Sequence, residues 1–245
     1  MRALILAAGV GKRIAGAHPA PKCLLRFGGR TLLERHLELL RACGVDEVVI
    51  CVGYREDDVR AELARLGAGG VTVVPNAEFA LGSVISLWAV RDWLDPHSGA
   101  LVMDADVLYD RRMLGRLTGT SVENCFLLDR DFEPGDEPVK LCVAGGRLVE
   151  FRKRIAPDLP YEYSGESVGF FRFGGPMARR LASRCEHYRA AGRGSEPHEE
   201  AIRDLLLESP DEFGFEDVTG LPWLEIDFEE DIGRAERTVL PLLHD

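Results

Sequence analysis

No stretch of this chain approaches the roughly 18 consecutive apolar residues that a membrane-spanning helix requires. Its first residues lack the charged start, apolar middle and cleavage site of a secretory leader. A soluble, cytoplasmic protein with no membrane partner is therefore expected. C-x-x-C spacing is missing too: Cys23, Cys43, Cys51, Cys125, Cys142 and Cys185 are scattered, most of them among apolar neighbours. That pattern excludes a disulfide frame or zinc site as the organising element and suits a reducing compartment. Cations are the scarcer charge, 30 Lys and Arg against 41 Asp and Glu, for a formal net charge of −11. Such a balance opposes nucleic acid and anionic membrane surfaces, which need a cationic face. It does not exclude a small anion, for which only a pocket has to be positive.

Up to about residue 110 the pattern alternates strand and helix. Arg2–Ala7 reads as a strand, and Thr31-Leu32-Leu33-Glu34 as a capping box that opens a helix ended by Gly44. Strands follow at Glu47–Val52, 71–74 and 100–103, with helices at 56–66 and 83–94 between them. This alternation predicts right-handed βαβ units around a mostly parallel sheet covered on both faces. After Asp110 the rhythm changes: segments 139–144 and Arg147–Arg152 flank Gly145-Gly146, a hairpin signal. A strand at 167–173, helices at 177–191 and 197–208, a strand at 223–226 and a last helix at 228–240 complete the expectation. With no repeat or low-complexity linker visible, residues 1–245 are read as one domain.

Two glycines stand where the first strand ends. Leu4-Ile5-Leu6-Ala7-Ala8 runs into Gly9-Val10-Gly11-Lys12-Arg13, followed by Pro21-Lys22 and by Gly28-Gly29. A buried strand that delivers the chain to glycines and then cations reads as a loop whose backbone N–H groups face phosphate. Glycine lets the backbone approach where a Cβ would intrude. Arg13 can fork two phosphate oxygens, and Lys22 supplies a movable point charge. A dinucleotide fingerprint would need a glycine where Ile14 stands, and a Walker loop needs four residues between its glycines. Neither fits.

Acids appear at two other strand ends. Met103-Asp104-Ala105-Asp106 follows an apolar strand, and two acids leaving a buried strand are costly without a cation or hydrogen bonds. In Trp223-Leu224-Glu225-Ile226-Asp227, alternation places Glu225 and Asp227 on one face. Asp227 also reads as a helix N-cap.

The long string from Leu6 to Arg13, with Pro21-Lys22-Cys23-Leu24-Leu25 and Gly28 to Glu34, resembles the signature of nucleotidyltransferases that activate sugar phosphates and small alcohol phosphates. The late Trp-x-Glu-Ile-Asp string looks like the branch containing bacterial cholinephosphate cytidylyltransferases. The resemblance covers almost the whole chain, most strongly at residues 3–35, 100–109 and 221–236. It implies a Rossmann-like, glycosyltransferase A-like α/β fold, with a nucleotide-binding half over 1–110 and an acceptor-binding, metal-completing half over 111–245. It implies that Ala8, Gly9, Gly11 and Lys12, with Gly53, Gly82 and Ser83, bind the nucleotide. Lys22, Arg13, Asp106 and Asp227 are the implied catalytic set, and Asp106, Glu225 and Asp227 the implied Mg²⁺ ligands, Asp106 in preference to Asp104. Ser83 reads equally well as a plain helix cap.

The expected reaction is CMP transfer from CTP to a small phosphorylated alcohol, with release of pyrophosphate. Lys140 and Lys153, on the two hairpin arms, are candidates for the acceptor's phosphate, and otherwise solvated edge lysines. Tyr161, Tyr163, Phe170, Phe171 and Trp223 offer ring faces, and Glu166 or Asp129 a carboxylate, for a quaternary ammonium head. Phosphocholine is therefore the leading acceptor, with Tyr163, Glu166 and Trp223 at its head. Aminoethylphosphonate, inositol phosphate and a sugar 1-phosphate remain open, as does a nucleotide sensor without turnover. The oligomeric state is open too, a homodimer included.

Overall fold

The computed structural model describes residues 1–14, 16 and 18–244. The first strand, β1 (Arg2–Ala7), leads through a long loop and the small hairpin β2 (Arg26–Phe27) and β3 (Arg30–Thr31) to helix α1 (Leu32–Ala42). Then come β4 (Glu47–Val52), α2 (Glu56–Arg65), β5 (Thr72–Pro75), α3 (Ser83–Ala89), β6 (Ala100–Asp104), β7 (Val107–Tyr109) and α4 (Arg111–Gly119). The second half holds β8 (Asn124–Asp129), β9 (Lys140–Ala144), β10 (Arg147–Arg152), β11 (Tyr163–Phe173), α5 (Gly175–Ala190), α6 (His198–Glu208), β12 (Phe213–Asp217), β13 (Trp223–Glu225) and α7 (Glu229–Arg234).

The main sheet runs β10-β9-β11-β6-β1-β4-β5, with β8 against β11 and β12 against β8. The pairs β1 with β4, β1 with β6 and β4 with β5 are parallel, as the alternation predicts. Side chains leave β1 alternately: Leu4 enters the core beneath α3, α5 and α6, while Ala3, Ile5 and Ala7 enter the core beneath α1, α2 and α4. Successive Cβ atoms point to opposite faces, so a sheet covered on both sides reads as a continuous apolar run. Thr31 caps α1, its Oγ1 accepting from the Glu34 N–H at 3.0 Å.

Several expectations need correction. The strand read at 167–173 is longer, since β11 already begins at Tyr163, and it lies directly against β6 in the main sheet. Strands β7, β8 and β12 were not expected; β8 is buried on both faces and so shows no alternation. Helix α3 stops at Ala89, and a 3-10 turn over Arg91–Trp93 completes the segment read as one helix. The last helix is likewise only six residues, followed by a wide turn over Ala235–Val239 and a 3-10 turn over Leu240–Leu242. Pro241 lacks the N–H that a continuing α-helix would need.

Candidate active site

The carboxyl ends of β1 and β6 open into a cavity of about 260 Å³. Its walls include Ala8, Gly9, Gly11, Lys22, Gly82, Ser83, Asp106 and Glu225. Ligands collect at this end of an open α/β sheet because the connecting loops splay apart there. Gly11 has φ +60°, and a Cβ on it would sit 3.1 Å from Lys22 Cγ. The loop therefore needs glycine at this position both for its backbone and to let Lys22 lie alongside. Lys12 points elsewhere: it is exposed and outside the cavity wall.

Gly53 also lies outside this wall. A Cβ there would fall 2.5 Å from Phe79 Cβ and 3.0 Å from the Ala8 carbonyl oxygen, so the residue is small for packing reasons. Gly53→Ala is accordingly expected to lower the unfolding free energy by about 1–3 kcal/mol, the usual scale of overpacking. Denaturant unfolding measures this, and a change below about 0.5 kcal/mol would show that Phe79 yields freely. Ser83 is not the helix cap; Gly82 holds that place, and Ser83 Oγ instead accepts from the His198 N–H at 2.9 Å.

Three carboxylates converge beside the glycine loop. Asp106 follows β6, Glu225 ends β13 and Asp227 follows it, and one oxygen from each lies within 4.8 Å of the others. The antiparallel pairing of β13 with β7 sets Glu225 opposite Val107 and so carries the late acids to Asp106. Asp227 is not a helix cap. Its backbone N–H and that of Phe228 both donate to Asp231 Oδ2, at 2.9 and 2.7 Å, which frees the Asp227 carboxylate for the site.

Lys22 lies among these acids, its Nζ 2.9 Å from Asp106 Oδ2 and 2.7 Å from Asp227 Oδ1. Burial pulls its ammonium down, but the two carboxylates outweigh burial and hold it above the usual lysine range. Burial, then the charges of Asp106 and Asp227, push the Glu225 carboxyl well above the ordinary range. Asp104 is raised by burial and by Glu199 and Asp106. An all-oxygen set of three carboxylates suits a hard divalent cation such as Mg²⁺ better than zinc or copper. The residues thus fit such an ion, with Asp106, Glu225 and Asp227 as its protein ligands.

Arg13 is tied to the same acids. Its guanidinium lies 3.3 Å from Asp227 Oδ2 and 2.9 Å from Glu137 Oε2, with its carbon 4.9 Å from the centre of the Phe228 ring. Glu137 also takes Lys153 Nζ at 3.2 Å. Lys140 is engaged differently: its ammonium donates to the carbonyls of Gly135 and Lys153, at 2.6 and 2.9 Å, and so secures a loop. Neither lysine stands in the glycine-loop cavity.

A second, larger cavity of about 880 Å³ adjoins the acids, with Asp129, Glu166, Trp223, Glu225 and Asp227 on its walls. Trp223 Nε1 donates to Asp129 Oδ2 at 2.7 Å, which pins the indole. Burial, then the nearby Asp129, push the Glu166 carboxyl up to about 7. Tyr163 does not reach this wall and instead lies under Arg130, 5.3 Å from ring centre to guanidinium carbon. Phe170 and Phe171 are core, and Tyr161 is 44% exposed on the outside.

Sequence reasoning overlooked His198, Glu199 and Glu137. The first two begin a helix, where Pro197 and a run of acids read as ordinary N-terminal residues. Glu137 sits in a loop whose only signal is charge.

The model of the MobA-like NTP transferase domain matches residues 3–160. The chain is 32% identical over 240 residues to the bifunctional IPC transferase and DIPP synthase of Rubrobacter xylanophilus, covering 97% of this chain and 52% of that protein. It is 28% identical over 245 residues to the CMP-5'-(3-aminopropyl)phosphonate synthase of Streptomyces rubellomurinus, covering 96% and 38% respectively. The chain thus spans about half or less of the length of these curated relatives. The CTP:phosphocholine cytidylyltransferase of Streptococcus pneumoniae has a similar fold, with a TM-score of 0.77, 21% identity and coverage of 96% and 97% of the two chains.

Proposed function

We propose, from the premise that this chain belongs to the MobA-like NTP transferase domain family, that it transfers CMP from CTP to a small phosphorylated acceptor. The observation that carries this reading is the meeting of Lys22 with Asp106, Glu225 and Asp227 at the mouth of the glycine-loop cavity. The cytidylyl chemistry in the names of similar proteins supports the choice of nucleotide.

An oxygen of the acceptor's phosphate would attack the α-phosphorus of CTP. A new phosphorus–oxygen bond forms while the bond to the departing pyrophosphate breaks, its electron pair leaving with that oxygen. The protein's part is positioning and neutralisation. Backbone N–H groups of the loop from Gly9 to Gly11 would face the phosphates, and Arg13 would exchange Glu137 for the β- and γ-phosphates. The Lys22 ammonium would neutralise the crowded α-phosphate. A Mg²⁺ held by Asp106, Glu225 and Asp227 would supply further charge neutralisation at the phosphate oxygens.

The acidic cavity beside the site favours a cationic head on the acceptor. Asp129 and Glu166 offer carboxylates there, and the pinned Trp223 offers a ring face, a pairing suited to a quaternary ammonium. Phosphocholine is the proposed acceptor. In a panel with phosphoethanolamine, 2-aminoethylphosphonate, inositol 1-phosphate and a sugar 1-phosphate, it is expected to show the highest kcat/KM. Trp223→Leu should narrow its lead over phosphoethanolamine, because the bare ammonium is more strongly hydrated and gains less from a ring face. The KM for CTP should hardly move. A preference for inositol or sugar phosphate would overturn the choline assignment and leave the nucleotidyl transfer standing. CTP binding without pyrophosphate release from any acceptor would favour a nucleotide sensor.

A further inference from the structure

We infer that Glu199, with His198 beside it, forms a subsite in the glycine-loop cavity that takes an N–H or O–H donor of a bound substrate. This rests on the nucleotidyl-transfer reading above. Both residues begin α6 and both contribute to the wall of that cavity. His198 is only 2% exposed, and among the described residues its Nε2 has no hydrogen-bond partner, Asp104 Oδ1 lying 3.9 Å away; Glu199 Oε2 is likewise buried without one. Native interiors rarely leave such atoms unpaired, and those that are left so call for a ligand or water.

The two side chains are held in place rather than loosely packed. Ser83 Oγ accepts from the His198 N–H and lies 3.0 Å from Nδ1, while Phe171 meets the imidazole edge-on at 5.9 Å between ring centres. The start of α3 is locked to the segment before α6, since the Gly82 N–H donates to the Gly194 carbonyl at 2.8 Å. A Cβ on Gly82 would fall 2.1 Å from the Glu196 carbonyl oxygen. Glu199 Oε2 sits 3.1 Å from Nδ1 without the alignment of a hydrogen bond. A carboxylate oxygen so held has only acceptor capacity, so its complement is a donor.

Two parts of the substrates carry such donors: the 4-amino group of cytosine, and a hydroxyl or primary ammonium on the acceptor. A trimethylammonium carries none. A carboxylate pairs with the amino group of cytosine and repels the carbonyl that uracil presents at the same position. A glutamine there would instead offer an N–H₂ to uracil.

The test is Glu199→Gln, with Glu199→Asp as the charge-retaining second variant. CTP and UTP binding is measured by calorimetry in Mg²⁺, and acceptor KM by pyrophosphate release. If the cytosine amino group is the donor, Glu199→Gln narrows the CTP-to-UTP affinity ratio by about tenfold or more, and Glu199→Asp retains part of it. If the donor belongs to the acceptor, the nucleotide ratio holds and acceptor KM rises by a similar factor. Nucleotide ratio and acceptor KM both within twofold of wild type in the two variants would overturn the subsite alone. A wild-type protein that binds neither nucleotide removes the nucleotidyl-transfer reading and the subsite with it.

Discussion

Replacing Asp106 by alanine is expected to reduce Mg²⁺-dependent pyrophosphate release by at least about 10²–10³-fold, the scale of losing one preorganised electrostatic contact to the reacting phosphates. The side chain stands at a strand end, is 21% exposed and contacts the Lys22 ammonium, which has a second partner in Asp227 at 2.7 Å. No core packing is lost. Removing one of three crowded carboxylates also relieves repulsion that raises the Glu225 carboxyl. The melting temperature and circular dichroism should therefore stay near those of the wild type while turnover collapses. Turnover within tenfold of wild type would remove Asp106 from the proposed cation site.

Lys22→Ala is expected to act on kcat with little change in the KM for CTP. The loss should be about 2.7–4 kcal/mol if the ammonium serves the transition state as a preorganised donor does. Its position adds a second readout that needs no substrate. This ammonium neutralises Asp106 and Asp227 directly. Without it, the three acids repel one another, and an added cation that binds only the folded state stabilises by mass action. Mg²⁺ should therefore raise the melting temperature of Lys22→Ala more than that of the wild type. A loss confined to KM would assign Lys22 to ground-state binding. An equal Mg²⁺ response in the two proteins would show that the ammonium and the metal do not share the acids.

Legibility differed from residue to residue. The glycine loop and the acids after β6 stand at strand ends that announce themselves through apolar runs, since a buried parallel strand has to be apolar on both faces. Glu225 and Asp227 were legible as a face-sharing pair. Their meeting with Asp106 was implied by the family resemblance alone and not by local pattern, because β7, the strand that brings them to Asp106, is only three residues long and buried throughout. Their place on the two hairpin arms suggested Lys140 and Lys153 for an anion, yet loop carbonyls engage the first and Glu137 the second. Among the aromatics of that region, Phe170 and Phe171 went to the core, where rings most often go.

The sequence by itself determined the elements whose signals are local: the βαβ rhythm of the first half, the Thr31 cap, the glycines of the loop after β1 and the acids at two strand ends. Each rests on propensity, periodicity or backbone sterics within a few residues. Only the tertiary structure decided which of these meet. It placed β11 against β6, turned Ser83 from a helix cap into the partner of His198, and set Lys22 between Asp106 and Asp227, 84 and 205 residues away. Contacts at such separation depend on strand order and register, and those follow from burying both faces of the whole sheet at once rather than from any short stretch of chain.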